Sequence, residues 1–167
     1  DKGGSSTYIL DIQATDSAHF RLLGRANYNI DSDVTSPAAN LNAFALISGT
    51  ARLNSNVIIP VLNTVTNYSI PSAARLWING GYVRKTSGTA IVPYGAIEVG
   101  AGQLIATVGS GITVRGSGSL KVTGGSVTLR AFRTSVQGAS AQGTYEQSGG
   151  TVTVLGGAGI NADYAVF

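Results

Sequence analysis

The 167-residue sequence contains no cysteine and no methionine, and it carries few charged residues. The absence of cysteine excludes a disulfide scaffold, a thiolate metal site and a cysteine nucleophile. Charged residues make up 11% of the chain, against roughly 25% in an ordinary soluble domain. Such a composition lacks the Glu, Lys, Leu and Arg of a helical bundle. No apolar run approaches the ~18 residues of a membrane-spanning helix, so no membrane span is predicted.

Glycine and short apolar–polar alternations make up much of what remains. Gly accounts for 23 of 167 residues, about twice the usual share of roughly 7%. The segments "AIEVG", "QLIATVG", "GITVRG" and "SLKVTG" follow one another with glycine at nearly every junction. Alternation of period two is typical of a half-buried strand. The sequence therefore predicts an all-β protein with many short strands.

A short phrase built around a Gly-Gly pair recurs along the chain. The pairs stand at 80–81, 124–125 and 149–150, with alternating apolar residues before and after each pair. A less regular copy, "AIEVGAGQLIATV", has glycines at 100 and 102, and a weaker one includes Gly49. The copies recur every 22 to 25 residues or so, and a fixed period is typical of a repeat architecture.

Three short strands fill one period, which is the content of one coil of a three-sided solenoid. The prediction is a right-handed parallel β-helix (β-solenoid) of about 22–25 residues per coil, with glycines at the corners. In this arrangement Leu120, Val122, Val127 and Leu129 face the core, whereas Lys121 and Thr128 face outward. About seven coils at roughly 4.8 Å each would form a rod on the order of 35 Å long. The alternative is a β-sandwich or jelly roll, whose hairpins favour Asn-Gly and Asp-Gly turns.

No linker interrupts the chain, so we expect a single domain over residues 1–167. Residues 1–75 are predicted to form irregular coils with loop excursions, and residues 76–167 to form regular coils. Because the first residue is not Met, we expect either a processed protein or a segment of a longer chain. The sequence ends inside an alternating pattern, "NADYAVF". We therefore expect further repeats of the chain, or end-to-end self-association, to continue the rod.

The net charge of +3 is uneven along the sequence. The excess lies in residues 84–167, whose basic residues outnumber Glu98, Glu146 and Asp163. This pattern is compatible with ordinary surface charge or with a mildly basic face for an acidic polysaccharide or a neighbouring subunit. Nucleic acid is not expected as a partner, because the basic residues form no cluster and are not interleaved with aromatics.

Residues that could carry catalysis or bind a metal are sparse and scattered. His19, the single histidine, has no G-x-S-x-G nucleophile elbow to complement it. Asp31 and Asp33 lack the further acids that a calcium loop needs, and "LGGAGINAD" departs from the calcium-binding nonapeptide. The sequence thus predicts no cofactor and no metal site.

Many parallel β-helix proteins act on polysaccharides, so a hydrolase is the enzymatic alternative. Its chemistry requires two paired carboxylates. Glu98 and Glu146 align one position apart in their copies of the phrase and two coils apart in the stack, which does not predict a pair. A protein without catalytic residues is the favoured interpretation.

Several residues are candidates for surface contacts. Trp77 alternates with two apolar residues and should point outward, and like Tyr82 it could stack on a sugar ring or a neighbouring subunit. The candidate contact residues are Trp77, Tyr82, Arg84, Lys121 and Arg130. Rows of threonine on a flat face could also bind ice, but the row containing Thr128 and Thr153 begins with Arg84 and is not regular.

The phrases "YEQSGGTVTVLGG", "NADYAVF" and "LKVTGGSVTL" resemble the repeats of bacterial adhesin-like β-helix surface proteins of the repeat-passenger type. The resemblance covers residues 76–167. It implies an extracellular or cell-surface location, a stalk-like or filament-forming structural role, and no catalytic residues. We therefore expect a structural or adhesive β-solenoid, with a polysaccharide or another cell-surface ligand as a possible partner. The alternatives are a carbohydrate-active enzyme and a polysaccharide- or ice-binding module.

Overall fold

The computed structural model describes residues 20–22, 27–30, 34–35, 44–46, 49–54, 57–59, 67–85, 88–134, 143–156 and 160–161. Every strand pair in these ranges is parallel, and no helix occurs among them. The strands form a β-solenoid, as the repeat predicts. A sandwich or jelly roll is excluded as the fold of this part of the chain, because such folds are built from antiparallel sheets.

Nineteen short strands lie in the described ranges. In chain order they are β1 (Phe20–Leu22), β2 (Asn27–Ile30), β3 (Val34–Thr35), β4 (Phe44–Leu46), β5 (Gly49–Leu53), β6 (Val57–Ile59), β7 (Tyr68–Ile70), β8 (Ala74–Ile78), β9 (Tyr82–Lys85), β10 (Ile91–Pro93), β11 (Ala96–Val99), β12 (Gln103–Ala106), β13 (Ile112–Thr113), β14 (Ser119–Val122), β15 (Ser126–Leu129), β16 (Phe132–Arg133), β17 (Thr144–Gln147), β18 (Thr151–Val154) and β19 (Ile160–Asn161).

Three long sheets form the sides of the solenoid. Face I contains β2, β5, β8, β11, β14 and β17; face II contains β3, β6, β9, β12, β15 and β18; face III contains β7, β10, β13, β16 and β19. β1 and β4 pair with each other in a two-stranded sheet. From β5 onward, each circuit of the chain adds one strand to every face, so the sheets extend along the solenoid axis.

The ladder register gives the length of each coil. On face I, Arg75 pairs with Ala96, 21 residues later. Ala96 pairs with Ser119 after 23 residues, and Ser119 with Thr144 after 25. The number of residues per coil therefore varies from 21 to 25. The additional residues lie at the corners, so the register on each face does not change.

Every second residue of the strands on the three faces points inward, and these side chains fill the interior. On faces I and II these side chains are completely buried: Leu76, Ile78, Ile97, Val99, Leu120, Val122, Val83, Leu104, Val127 and Leu129. On face III, Ile91, Ile112 and Phe132 close the same core. Burial of each such side chain contributes about 1.5–3 kcal/mol. The predicted inward positions of β14 and β15 are confirmed, as is the outward direction of Lys121 and Thr128.

Glycine pairs form the corner between faces I and II, as the sequence predicts. Gly125 has φ of 66°, a left-handed conformation that other residues adopt only with strain. A Cβ on Gly124 would clash with the carbonyl oxygen of Gly100 in the preceding coil. The corners of successive coils therefore stack backbone against backbone, which leaves no room for a side chain at Gly124.

The weaker copy of the phrase that includes Gly49 was aligned wrongly. Gly49 begins β5 and pairs with Ala74, so it lies at the corner between faces III and I. The residue that precedes the I–II corner of that coil is Asn54, which accepts a hydrogen bond from Asn79 at 2.9 Å between the two side-chain amides. An asparagine pair thus occupies a corner position where the later coils carry Gly100, Thr123 and Ser148.

Candidate functional site

The outer surface of face I presents two parallel columns of side chains. Strand pairing aligns Thr50, Arg75, Ala96, Ser119 and Thr144 in the first column, and Arg52, Trp77, Glu98, Lys121 and Glu146 in the second. Successive members of a column lie about 4.8 Å apart. The second column contains both carboxylates whose side chains the structure describes, and it therefore holds most of the charge interactions of this surface.

The ring of Trp77 lies against two arginine side chains. The guanidinium carbons of Arg52 and Arg75 lie 4.6 and 5.1 Å from the ring centroid, which is within the range of a cation–π interaction. The indole Nε1 is buried without a hydrogen-bond partner, and a Cβ on Gly100 would approach it to 3.1 Å. The outward direction predicted for Trp77 is confirmed, but cations already occupy positions against its ring.

Both described carboxylates are paired with cations. Arg75 forms an ion pair with Glu98, whose side chain is 18% exposed. Lys121 lies 3.4 Å from Glu146 in a pair that is largely open to solvent. Arg75 therefore contacts both an aromatic ring and a carboxylate, which fixes the position of its side chain at the edge of face I.

The predicted alignment of Glu98 and Glu146 was wrong by one position. Lys121 pairs with Glu98 on one side and with Glu146 on the other, so all three occupy one column. Two strand spacings, about 9.6 Å, separate the strands of the two glutamates. That strand separation exceeds the ~5–5.5 Å between the carboxyl groups of a retaining glycosidase and lies near the ~9.5 Å upper limit for an inverting one. The position between the two glutamates is occupied by Lys121.

A groove of about 760 Å³ runs along the corner between faces III and I. Its wall is made mainly of small and hydroxylated residues, including Thr50, Ser72, Ser117 and Ser119, with Arg75 at the side of face I. Tyr94 is the large side chain of the groove and is 39% exposed. Because the lining residues come from the starts of β5, β8, β11 and β14 and the turns before them, the groove is parallel to the solenoid axis.

The local sequence explains why Tyr94 projects into this groove. The preceding strand, β10, is completely buried, and Gly95 follows at a tight corner where a Cβ would clash with the carbonyl oxygen of Pro71. The amides of Tyr94 and Gly95 both donate to the carbonyl of Ile70 in the preceding coil. With both neighbours held against the body, the tyrosine side chain is directed outward. In the next coil, a Cβ added to Gly116 would lie 3.8 Å from the Tyr94 ring.

Lys85 is a charged side chain inside the solenoid, at the end of β9. It is 1% exposed, and its Nζ donates to the carbonyl oxygens of Gly88 at 2.8 Å and Val108 at 3.2 Å. Burial lowers the pKa of this ammonium from 10.5 to about 8. The two carbonyls belong to corresponding corners of adjacent coils, so the lysine connects one coil to the next.

The residues predicted as surface contacts do not converge on one site. Trp77 and Lys121 share the second column of face I. Arg84 is exposed on face II and Arg130 is exposed at the corner that follows β15, whereas Tyr82 is half-buried on face II. The sequence interpretation missed Tyr94, whose signal is an aromatic residue between a short apolar strand and a corner glycine.

Charge is distributed unequally among the faces. The described acidic side chains, Glu98 and Glu146, both lie on face I. Exposed cations of the other faces are Arg84 on face II, Arg130 at its corner and Arg133 on face III. In the described part of the chain, faces II and III therefore carry positive charge without acidic side chains.

The face II column that contains Thr128 and Thr153 has mixed side chains, in agreement with the irregular row expected from the sequence. Arg84 pairs with Ile105, Ile105 with Thr128, and Thr128 with Thr153. An arginine and an isoleucine precede the two threonines, so this column does not present a repeated hydroxyl array.

The other residues considered for catalysis or metal binding lie elsewhere. His19, Asp31, Asp33 and Asp163 fall outside the described residues. Within the described ranges, no three His, Cys, Asp or Glu residues come together as a potential metal site, and no helix has the length and apolar character to cross a membrane.

No protein-family model matches the chain, and neither a curated protein nor a solved structure matches it.

Proposed function

We propose that this protein is an extracellular structural or adhesive β-solenoid that assembles end to end into a stalk or filament. The observation that carries the proposal is the open edge of the last described coil. β17 and β18 are terminal strands of faces I and II. The inward side chains Tyr145, Val152 and Val154 pack on the core but remain partly exposed, whereas their equivalents in earlier coils are fully buried.

The backbone of this edge also has an amide directed to where a further strand would pair. The amide of Thr144 donates to the carbonyl of Gly118 in the coil before it. Successive amides of a strand point in opposite directions within the sheet, so the amide of Tyr145 points toward the open side. Unpaired strand edges of this kind are templates for another chain.

A second copy of this chain is the proposed occupant of the edge. β2 and β17 are the outermost strands of face I at opposite ends, and each contains four residues. Both run in the same direction along the sheet, so β2 of one molecule can extend the ladder of β17 in another. A head-to-tail contact of this type does not close on itself and generates a filament.

Three further features support a structural role over an enzymatic one. Both described carboxylates are engaged by cations, and a lysine separates them on face I. The side chains of successive coils stack in register, which is the arrangement of a rod. The low charge and the abundance of Ser and Thr in the sequence favour a cell-surface setting of the adhesin type.

The assembly can be tested with two neighbouring substitutions on β18. Val152→Lys places a charge on the inward, edge-forming side, whereas Thr153→Lys places the same charge on the outer face of the same strand. We expect the wild-type chain and Thr153→Lys to form concentration-dependent assemblies in sedimentation velocity and filaments in electron micrographs, and Val152→Lys to remain monomeric. A wild-type chain that stays monomeric at every concentration would overturn the proposal.

A further inference from the structure

The geometry points to the III–I groove as a binding site for a neutral, linear glycan. This inference goes beyond the proposed structural role, because a solenoid can form filaments without binding a sugar. Three properties of the groove carry it: an exposed aromatic ring, a balanced set of hydrogen-bond donors and acceptors, and a direction parallel to the solenoid axis.

The aromatic ring is that of Tyr94. Its side chain is 39% exposed in a groove otherwise lined by small residues. Sugar rings carry apolar C–H faces that pack on aromatic rings, and a tyrosine adds a hydroxyl at the rim. Trp77 is less suited to this contact because the guanidinium groups of Arg52 and Arg75 already lie against it.

The polar groups of the groove match the hydroxyl groups of a sugar. Ser72 and Ser117 are exposed in its wall, and their hydroxyls both donate and accept hydrogen bonds. Beside them, Arg75 adds guanidinium donors to the groove, and the serine hydroxyls supply the acceptors. A sugar hydroxyl is itself a donor and an acceptor, so it finds both kinds of partner in this groove.

The charge balance favours a neutral glycan over an acidic one. Among the described residues that line the groove, Arg75 is the single charged side chain, and Glu98 neutralises it. A uronate or sulfate in the groove would have to compete with Glu98 for Arg75. Arg84, Arg130 and Arg133 lie on other faces of the solenoid. Arg115 lies at the III–I corner, but it is not among the residues that line the groove.

The shape of the groove favours an extended chain over a single sugar. Its lining residues come from the starts of β5, β8, β11 and β14, which are four successive strands of face I. Three strand spacings correspond to about 14 Å. A linear polymer lying along the axis would therefore contact several coils at once.

The test is affinity gel electrophoresis of the full chain in gels containing either a neutral or an acidic polymer. Hydroxyethylcellulose, xyloglucan and galactomannan are the neutral probes, and polygalacturonate and alginate are the acidic ones. We expect at least one neutral polymer to retard the protein. The affinity should be insensitive to ionic strength between about 0.15 and 1 M, because no net charge interaction is formed.

Four variants assign the retardation to the groove. We expect Tyr94→Ala to lose about tenfold in affinity and Tyr94→Phe to keep most of it, because the ring is retained. Ser117→Gln, at an exposed position, should fill the groove and also weaken binding without altering the core. Leu155→Ala removes a large exposed apolar side chain that does not line the groove, and it should leave binding unchanged. Circular dichroism confirms that each variant is folded.

The inference is overturned if no neutral polymer is retained, if acidic polymers are retained instead in a salt-dependent manner, or if Tyr94→Ala binds as tightly as the wild type. Filament formation is measured separately by sedimentation. Failure of glycan binding and failure of assembly are therefore distinguishable.

Discussion

The middle coils and the last described coil share one pattern but differ in what covers them. On face II, Val127 is fully buried, with β12 on one side and β18 on the other. Val152 occupies the same column one coil later and remains partly exposed. The residue type and direction are the same at both positions, so the difference comes from the strands beside them: β15 has a described strand on both sides and β18 on one side. In a solenoid, stability thus depends on having a neighbour on both sides.

The largest expected effect comes from placing a carboxylate in each of these two positions. Val127→Asp buries a charge between two coils and should cost several kcal/mol, enough to unfold the domain. Val152→Asp leaves the carboxylate at the open edge, within reach of water, and should cost about 1 kcal/mol in the monomer. Urea unfolding followed by circular dichroism measures both. Equal losses would contradict the difference between the two coils.

A smaller difference is expected at the glycine corners. Gly125 and Gly150 have φ of 66° and 69°, and at both positions a Cβ would run into the preceding coil. Gly125 is also followed by the corner of the next coil, whereas the corner at Gly150 can move toward the open end. We expect Gly125→Ala to cost about 3 kcal/mol and Gly150→Ala about 1–2 kcal/mol, as thermal unfolding would show. The reverse order would indicate that the last coil is covered.

The buried lysine of the middle coils predicts a pH dependence. The pKa of Lys85 falls from 10.5 to about 8 on burial, so the unfolded chain binds this proton more tightly than the folded chain. Stability should therefore rise with pH between about 8 and 10, by about 2 kcal/mol. Burial raises the pKa of the Tyr68 hydroxyl above its ordinary value of 10.0. Because the folded chain then holds this proton more tightly than the unfolded chain, the free energy of unfolding should fall as the pH rises above about 10.

Lys85→Met isolates the lysine in that pH profile. The variant should lose the increase in unfolding free energy between about pH 8 and 10. It should keep the decrease above pH 10, because burial raises the pKa of the Tyr68 and Tyr145 hydroxyls. Urea unfolding at a series of pH values is the measurement. An unchanged profile in the variant would show that another group is responsible.

The smallest expected effects concern the two ion pairs of face I. Glu98 is 18% exposed and Glu146 is 64% exposed at the side chain. Glu98→Gln should cost about 1 kcal/mol, because Arg75 loses the partner that positions it against Trp77, whereas Glu146→Gln should cost about 0.3 kcal/mol or less. Chemical unfolding at low and high salt measures the loss of unfolding free energy in each variant. A larger loss for Glu146→Gln would contradict the assignment of the partly buried pair.

Much of the fold was predictable because one phrase fixes both the corner and the direction of the adjoining side chains. In "LKVTGGSVTL", the glycine pair marks the I–II corner, and the alternation on either side assigns the inward residues correctly. The prediction was less accurate where the glycines change. Ala101 stands where other coils have the first glycine of the pair, so anchoring the alignment on Gly100 shifted Glu98 by one position.

The groove was not predictable from the same pattern. It lies at the III–I corner, where the strands are short and β10 is buried along its whole length, so no alternation reveals which side chain faces out. Tyr94 and Ser117 belong to different coils, and only the stacking of those coils brings them to one surface. The five predicted contact residues, Trp77, Tyr82, Arg84, Lys121 and Arg130, remain predictions, and they are divided between face I, face II and the corner after β15.

Amide hydrogen exchange measured at low and high protein concentration tests end-to-end stacking most directly. The amides of Tyr145 and Val152, which point toward the open edge, should exchange rapidly in the dilute protein and become protected as the concentration rises. The amides of β11 and β12 should be protected at both concentrations, because strands cover them on both sides. Protection of β17 and β18 that does not change with concentration would contradict assembly through this edge.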